Sequence, residues 1–417
     1  MTARATVLTR STRLALLLAV LGLGGCSWFS WLPFVGDGSD KKREESTKPM
    51  PLAKFDAEVR IERQWRSSVG KGLGRKYLRL PPVVVADQII AADGYGQVEA
   101  FDRFSGKRAW RTRIGELESS WFNWFDRKDP SFVSGGVGAG GGMAYLGLTS
   151  GEVVALAIED GTERWRSSVG SEVLSVPVYS RGKVYAQTID GRLLALDSED
   201  GAVIWSFDNQ VPVLTLRGTS SPVVDGGVVY SGFASGKVSA VRADNGEPVW
   251  ESRIMLPEGR SELDRIVDVD GRPLVLGPLL VAASYQGRIK ALRRTDGQAV
   301  WEREVSSYLD LDDGYGNVYV VDDADTPMAL ELETAEEIWR QDQLKRRRLT
   351  SPVAFSNYLL VGDDQGYLHV LAQSDGRFLG RRRVDSDGLR SVPIVEDGIV
   401  YVLGNSGSLS AFEILEK

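Results

Sequence analysis

The stretch Gly151-Glu-Val-Val-Ala155-Leu156-Ala-Ile-Glu-Asp160-Gly161-Thr-Glu-Arg-Trp165 decides the fold. Its first half alternates with period two and reads as a β-strand. Asp160-Gly161 reads as a tight turn: the carboxylate can bond its own backbone, and the glycine supplies positive φ. Thr162 to Trp165 then starts the next strand. The same frame returns as Gly96…Ala100-Phe101-Asp102…Gly106…Trp110, Gly191…Ala195-Leu196-Asp197…Gly201…Trp205, Gly236…Ala240-Val241…Gly246…Trp250 and Gly287…Ala291-Leu292…Gly297…Trp301. Trp65 to Gly70 and Trp165 to Gly170 are identical.

Two later copies are degenerate. Ala329-Leu330-Glu331…Trp339 has Ala335 in place of the turn glycine. Gly366…His369-Val370-Leu371…Gly376 has Gly380 in the tryptophan position. A last copy, Gly407…Ala411-Phe412, lacks a tryptophan strand. Upstream of each frame, prolines at 82, 177, 222, 273, 352 and 393 precede further Val- and Tyr-rich runs. Each unit therefore has four strands. Residues 56–417 divide into eight units of about 45 residues, the size of a four-stranded propeller blade. The chain opens on an orphan tryptophan strand, Ile61–Val69, and closes on a unit that lacks one. The expectation is an all-β, eight-bladed β-propeller with antiparallel blades, closed by the N-terminal strand. Seven blades is the alternative if the copy at Val318–Trp339 is incomplete.

Seven of the eleven tryptophans (Trp65, Trp110, Trp165, Trp205, Trp250, Trp301 and Trp339) occupy the repeat position. The Ala-x-Asp-x-x-x-Gly-x-x-x-Trp frame resembles the docking motif of the PQQ-like repeat family. The resemblance implies that each tryptophan clamps one blade onto the turn of its neighbour.

Composition narrows the function. The chain has 417 residues, 50 Lys+Arg against 57 Asp+Glu, and 46 glycines. An acidic chain is a poor nucleic-acid binder. There is one histidine, His369, and one cysteine, Cys26. Thiolate and multi-histidine metal sites are excluded, as is an intrachain disulfide. The PQQ-like family includes quinoprotein dehydrogenases, whose pockets commonly carry an adjacent-cysteine disulfide and a calcium. A single cysteine rules out the disulfide. Asp310-Leu-Asp312-Asp313-Gly314 looks calcium-like but departs from the EF-hand frame at its fifth and sixth positions. No catalytic residue, metal or cofactor is expected. His369 falls within a strand and reads as a packed or surface side chain. Lys345–Arg348 and Arg381–Arg383 read as solvated basic runs.

The first 26 residues read as an address. Arg4, Arg10 and Arg13 precede the apolar run Leu14–Leu23, which is too short to span a bilayer and reads as a signal-peptide core. Leu23-Gly24-Gly25-Cys26 resembles a bacterial lipobox, which implies cleavage before Cys26 and its acylation. Ser27, rather than Asp, next to the cysteine implies sorting to the outer membrane, facing the periplasm. Cleavage removes three arginines and no acid, leaving 47 basic against 57 acidic residues, a net charge of −10. The expected organisation is a signal peptide over 1–25, a lipidated Cys26 with a polar tether over 26–55, and the propeller over 56–417. Trp121-Phe122-Asn123-Trp124-Phe125 lies in an insertion of open role.

Two connections break the repeat. Val211-Pro-Val-Leu214-Thr215-Leu216-Arg217-Gly218 has alternating leucines followed by arginine, which suits a binding loop. Leu263-Asp264-Arg265-Ile266-Val267-Asp268-Val269-Asp270 enters the next blade. Both precede the first strand of consecutive blades, so they share a face and can form one patch. The alternative is that Arg217 pairs with Asp268 or Asp270 inside the propeller.

With the lipobox and the tether, these connections resemble the BamB family of outer-membrane protein assembly factors over essentially the whole mature chain. The resemblance implies a non-catalytic lipoprotein of the β-barrel assembly machinery that binds the POTRA domains of BamA. Unfolded outer-membrane proteins would be its clients. The family's partner contacts map onto Leu214, Leu216, Arg217, Asp268 and Asp270. Other periplasmic propellers and, more remotely, a PQQ-dependent oxidoreductase are the rival readings.

Overall fold

The computed structural model describes residues 48–73, 77–114, 133–216 and 218–417. The expected signal peptide, Cys26, Trp121–Phe125 and Arg217 lie outside the described residues.

Eight four-stranded antiparallel sheets form the propeller. Blades 1 to 7 are sequential meanders, and blade 6 (Asp312–Gly314, Asn317–Val321, Pro327–Glu331, Glu337–Arg340) is complete. That excludes the seven-bladed alternative. Blade 8 pairs Ile394–Glu396, Ile399–Leu403 and Ser408–Glu416 with Val59–Ser68 as its outermost strand. Val59 faces Glu416 and Ser68 faces Ser408. The N-terminal strand thus closes the ring, as the orphan tryptophan strand predicts.

The second and third strands of each blade are almost wholly buried, whereas the outermost strands bury mainly the tryptophan, as in Glu163–Ser168. This is the pattern of sheets packed face to face around an axis. Each of the seven tryptophan indole N–H groups donates to a backbone carbonyl at the next blade's turn, from Trp65 to Arg103 through Trp339 to Gln373, at 2.6–3.2 Å. The ring lies flat against the turn glycine. A Cβ on Gly161, which has φ +73°, would sit 2.4 Å from Trp110. Glycine is therefore required there twice, for conformation and for room. Ala335 holds the same turn at φ +62°, and its Trp301 is the one clamp that is not fully buried.

The degenerate Gly380 has a structural cause. A Cβ there would meet Val59 Cγ2 at 2.6 Å, so the incoming N-terminal strand occupies the space beside it. Blade 8 takes its fourth strand from the other end of the chain and so has no third-to-fourth-strand turn. A tryptophan in blade 7 would have no turn to clamp.

The expected tether over 26–55 has its described end, residues 50–55, laid against blade 7 instead of free. Ala53 and Phe55 pack on the cluster that contains Trp339 and Phe378.

Candidate partner-docking site

A meander with four strands per blade puts every blade-to-blade connection on one face of the ring. These connections surround the axis and line a cavity of ≈ 400 Å³, with Arg79, Leu216, Gly218, Asp270, Tyr285 and Tyr308 in its wall. The two segments that break the repeat meet there.

Residues 266–271 are embedded. Ile266, Val267 and Val269 are core residues. The Val269 amide donates to Phe233 O at 3.2 Å, and the Asp268 carbonyl accepts from Tyr285 N at 2.9 Å. Asp268 is itself buried, and its Oδ2 accepts from the Leu216 amide at 2.7 Å. Its Oδ1 has no hydrogen-bond partner. Two residues on, Gly218 passes so close to Asp270 that a Cβ would lie 2.3 Å from Oδ2. The Ser220 hydroxyl donates to Gly271 O at 3.1 Å. The buried acidic segment thus acts as the bracket on which the leucine loop is hung.

The loop faces solvent. Val213 is 99% exposed, Leu214 38% and Leu216 37%. Leu256 and Leu263, from the connection between blades 4 and 5, are exposed on the same face. The structure therefore brings the loop of Leu214 and Leu216 against Asp268 and Asp270, as the shared topological position of the two connections predicts. It also separates their environments: the leucines are displayed, Asp268 is interior, and Asp270 borders the cavity. The burial of Asp268 is not legible in the sequence, because an alternating run would turn Asp268 away from Val267 and Val269, whereas this connection is not a strand and buries all three.

The electrostatics follow from burial. Removal from water pushes the Asp268 carboxyl up to about 6, with the Leu216 amide acting in the opposite direction. Asp270 is pushed up to about 7 by burial and by the neighbouring Asp268, while Arg79 opposes the rise. Arg79 also lies 5.0 Å over the Tyr308 ring.

The other sequence candidates prove architectural. Asp310 Oδ1 accepts from Arg272 N, and Asp312 accepts from the amides of Ala354 and Asp313. The calcium-like run is thus a set of backbone caps at the innermost strand of blade 6. His369 is fully buried and bonds Asp363 Oδ2 through Nε2 at 2.9 Å. Burial holds its pKa below the usual value. Arg347, from the first basic run, is buried and paired with the same carboxylate at 2.7 Å. Arg381 and Arg382, from the second run, donate to the carbonyls of Ala53 and Ile61. These arginines are fasteners and not a solvated patch.

A family profile described as outer membrane protein assembly factor BamB matches residues 94–341 and 333–416. Outer membrane protein assembly factor BamB of Yersinia pestis is 36% identical over 403 residues, covering 97% of this chain and 99% of that protein. The chain belongs to the BamB family of outer-membrane protein assembly factors. Among solved structures, BamB from Moraxella catarrhalis superposes with a TM-score of 0.75 at 28% identity, over 85% of this chain and 99% of its own. The quinohemoprotein alcohol dehydrogenase of Comamonas testosteroni shares the ring alone, at a TM-score of 0.67 and 14% identity over 84% of this chain and 76% of its own. BamB proteins are assembly factors and not enzymes, so the oxidoreductase reading falls. Among the described residues, no helix is long and apolar enough to cross a membrane.

Proposed function

We propose that this chain is a lipid-anchored scaffold of the β-barrel assembly machinery that docks onto the POTRA domains of the BamA-type barrel protein through the face described above. The Leu216–Asp268 hydrogen bond carries this reading. It holds an apolar loop, Val213–Leu216, out from a rigid ring, which is how an interface anchor is pre-organised. Leu214 and Leu216 fill apolar pockets of the partner. Arg217 supplies the charge beside them, Asp268 positions the loop, and Asp270 presents an acceptor at the mouth of the cavity. Acylation at Cys26 keeps the protein at the periplasmic side of the outer membrane, where unfolded outer-membrane proteins are the clients of the complex.

The test is co-purification from solubilised membranes using lipidated protein. Wild type is expected to recover the BamA-type protein. Leu214→Asp/Leu216→Asp and Arg217→Glu are expected to lose it while their melting temperatures stay near wild type. Retention by all variants overturns the site. Absence of any barrel-assembly component with wild type overturns the function.

A further inference from the structure

Residues Met50–Glu58 do not hang from the propeller. They run along the outer wall of blade 7 from one face of the ring to the other. At one end, the Met50 amide donates to Lys345 O at 3.0 Å, and Arg347 Nη1 donates to Met50 O at 2.7 Å. Lys345 and Arg347 belong to the connection between blades 6 and 7, on the face that carries the docking loops. Midway, Arg381 Nη2 donates to Ala53 O at 2.8 Å. The Phe55 ring stacks on Phe378 with centroids 5.2 Å apart, and the Arg381 guanidinium lies 5.1 Å from the Phe55 centroid. At the other end, the Glu58 amide donates to Leu379 O at 2.8 Å, and its carbonyl accepts from Lys417 N. Its carboxylate pairs with Arg377 at 2.9 Å. Arg377 follows the turn between the third and fourth strands of blade 7, on the opposite face.

The two arginines explain why this segment stays seated. Arg347 is buried, already bonds Asp363 and Gln365, and has Nη1 left for Met50. Burial and the nearby Arg347 charge depress the pKa of Arg381. Two like charges share a poorly hydrated wall with one carboxylate, Asp363. The strap's carbonyls accept from both, Met50 O from Arg347 Nη1 and Ala53 O from Arg381 Nη2. Lifting the strap would strand charged donors, which is among the larger penalties in a folded protein.

We infer that Met50–Glu58 is an orienting strap, which moves the exit point of the lipid tether from the turn face of the ring to the docking face. Without it, the chain would leave at Glu58, on the turn face. With it, the chain leaves at Met50, beside the blade 6–7 connection. The two points are separated by the height of a blade, about 20 Å for six strand residues. The exit point therefore sets which face the anchored propeller turns to the membrane, and it is the face that carries Leu214 and Leu216. This inference rests on the lipid-anchor reading above.

The experiment places lipidated full-length protein on phospholipid vesicles that carry an acceptor dye. A donor dye is attached at Val213→Cys on the docking face or at Tyr315→Cys on the turn face; both side chains are exposed. Energy transfer is expected to be greater from position 213 than from 315. In Phe55→Ala/Arg381→Met, or in Phe55→Ala alone should the double variant fail to fold, the difference is expected to vanish or invert. Equal transfer in the wild-type background overturns the inference. Failure of the protein to bind vesicles at all overturns the lipid-anchor reading instead. In that case trypsin judges the strap. Cleavage after Lys54 is expected to be slow in wild type and to accelerate at least about tenfold in the strap variants, because it requires local opening. An unchanged rate of cutting after Lys54 in the strap variants overturns the strap.

Discussion

Asp270 shows how a single side chain can serve a site at the expense of its host. Its carboxyl, ordinarily near 3.8, stands at about 7 in the folded protein because burial and Asp268 disfavour the charge. A carboxyl raised on folding binds its proton more tightly in the native state, so acidification favours folding. The penalty for holding it ionised grows as pH climbs from about 4 and is complete above about 7. Asp270→Asn removes that penalty and keeps the shape. The variant is therefore expected to melt above wild type at pH 8, with the difference closing by pH 4. A difference that does not change with pH would show that Asp270 is not an ionised buried group. The nearness of Asp268 to the leucine loop followed from its place in the repeat, but its interior position did not: Val267, Asp268 and Val269 are all buried in a connection that is not a strand, so no two-residue period applies.

At the scale of the element, the outermost strands are the least protected. Each carries a β-bulge one residue before the tryptophan position, as between Trp205 and Val203, which twists an edge away from pairing with another chain. Blade 7 is protected differently. Its bulge residue, Leu379, is buried in one cluster with Val59 and Ile61 of the N-terminal strand, and Gly380 gives Val59 room. Repeat logic alone would call Gly380 a lapse and restore the tryptophan. The structure predicts the reverse. Gly380→Trp is expected to lower the melting temperature by several degrees, because its side chain would displace Val59 and has no turn to clamp. A rise would mean that the strand beside it is free to move. The glycine was visible in the sequence, but its cause was not: Gly380 and Val59 are more than 300 residues apart.

For the whole molecule, the closure is the decisive contact. Val59–Ser68 supplies both the outer strand of blade 8 and Trp65, whose indole bonds Arg103 O of blade 1 at 2.8 Å. Deleting residues 59–68 from the chain removes one strand and one of the seven clamps together. It also exposes Ser408–Glu416 as a raw edge. The expected result is self-association, seen as dimers and larger species by size exclusion with light scattering. A stable monomer would show that the seven remaining complete blades hold the ring without closure. Closure also explains the blade count, because both chain ends meet in one sheet and the ring cannot lose a blade without opening there.

The propeller, the number of its blades, the positions of the seven clamping tryptophans and the two connections that leave the repeat are all legible in the sequence. Each of these is local, carried by a strand period, a turn glycine or a departure from the repeat, and a repeat multiplies a local signal eightfold. The tertiary structure alone decided that Asp268 faces inward to hold Leu216, that the basic runs fasten the N-terminal segment, and that residues 50–58 form a strap. Those outcomes depend on contacts between segments from about fifty to more than three hundred residues apart. Burial sets them, since a charge such as that of Arg347 can enter the interior only where folding has already brought its partners together.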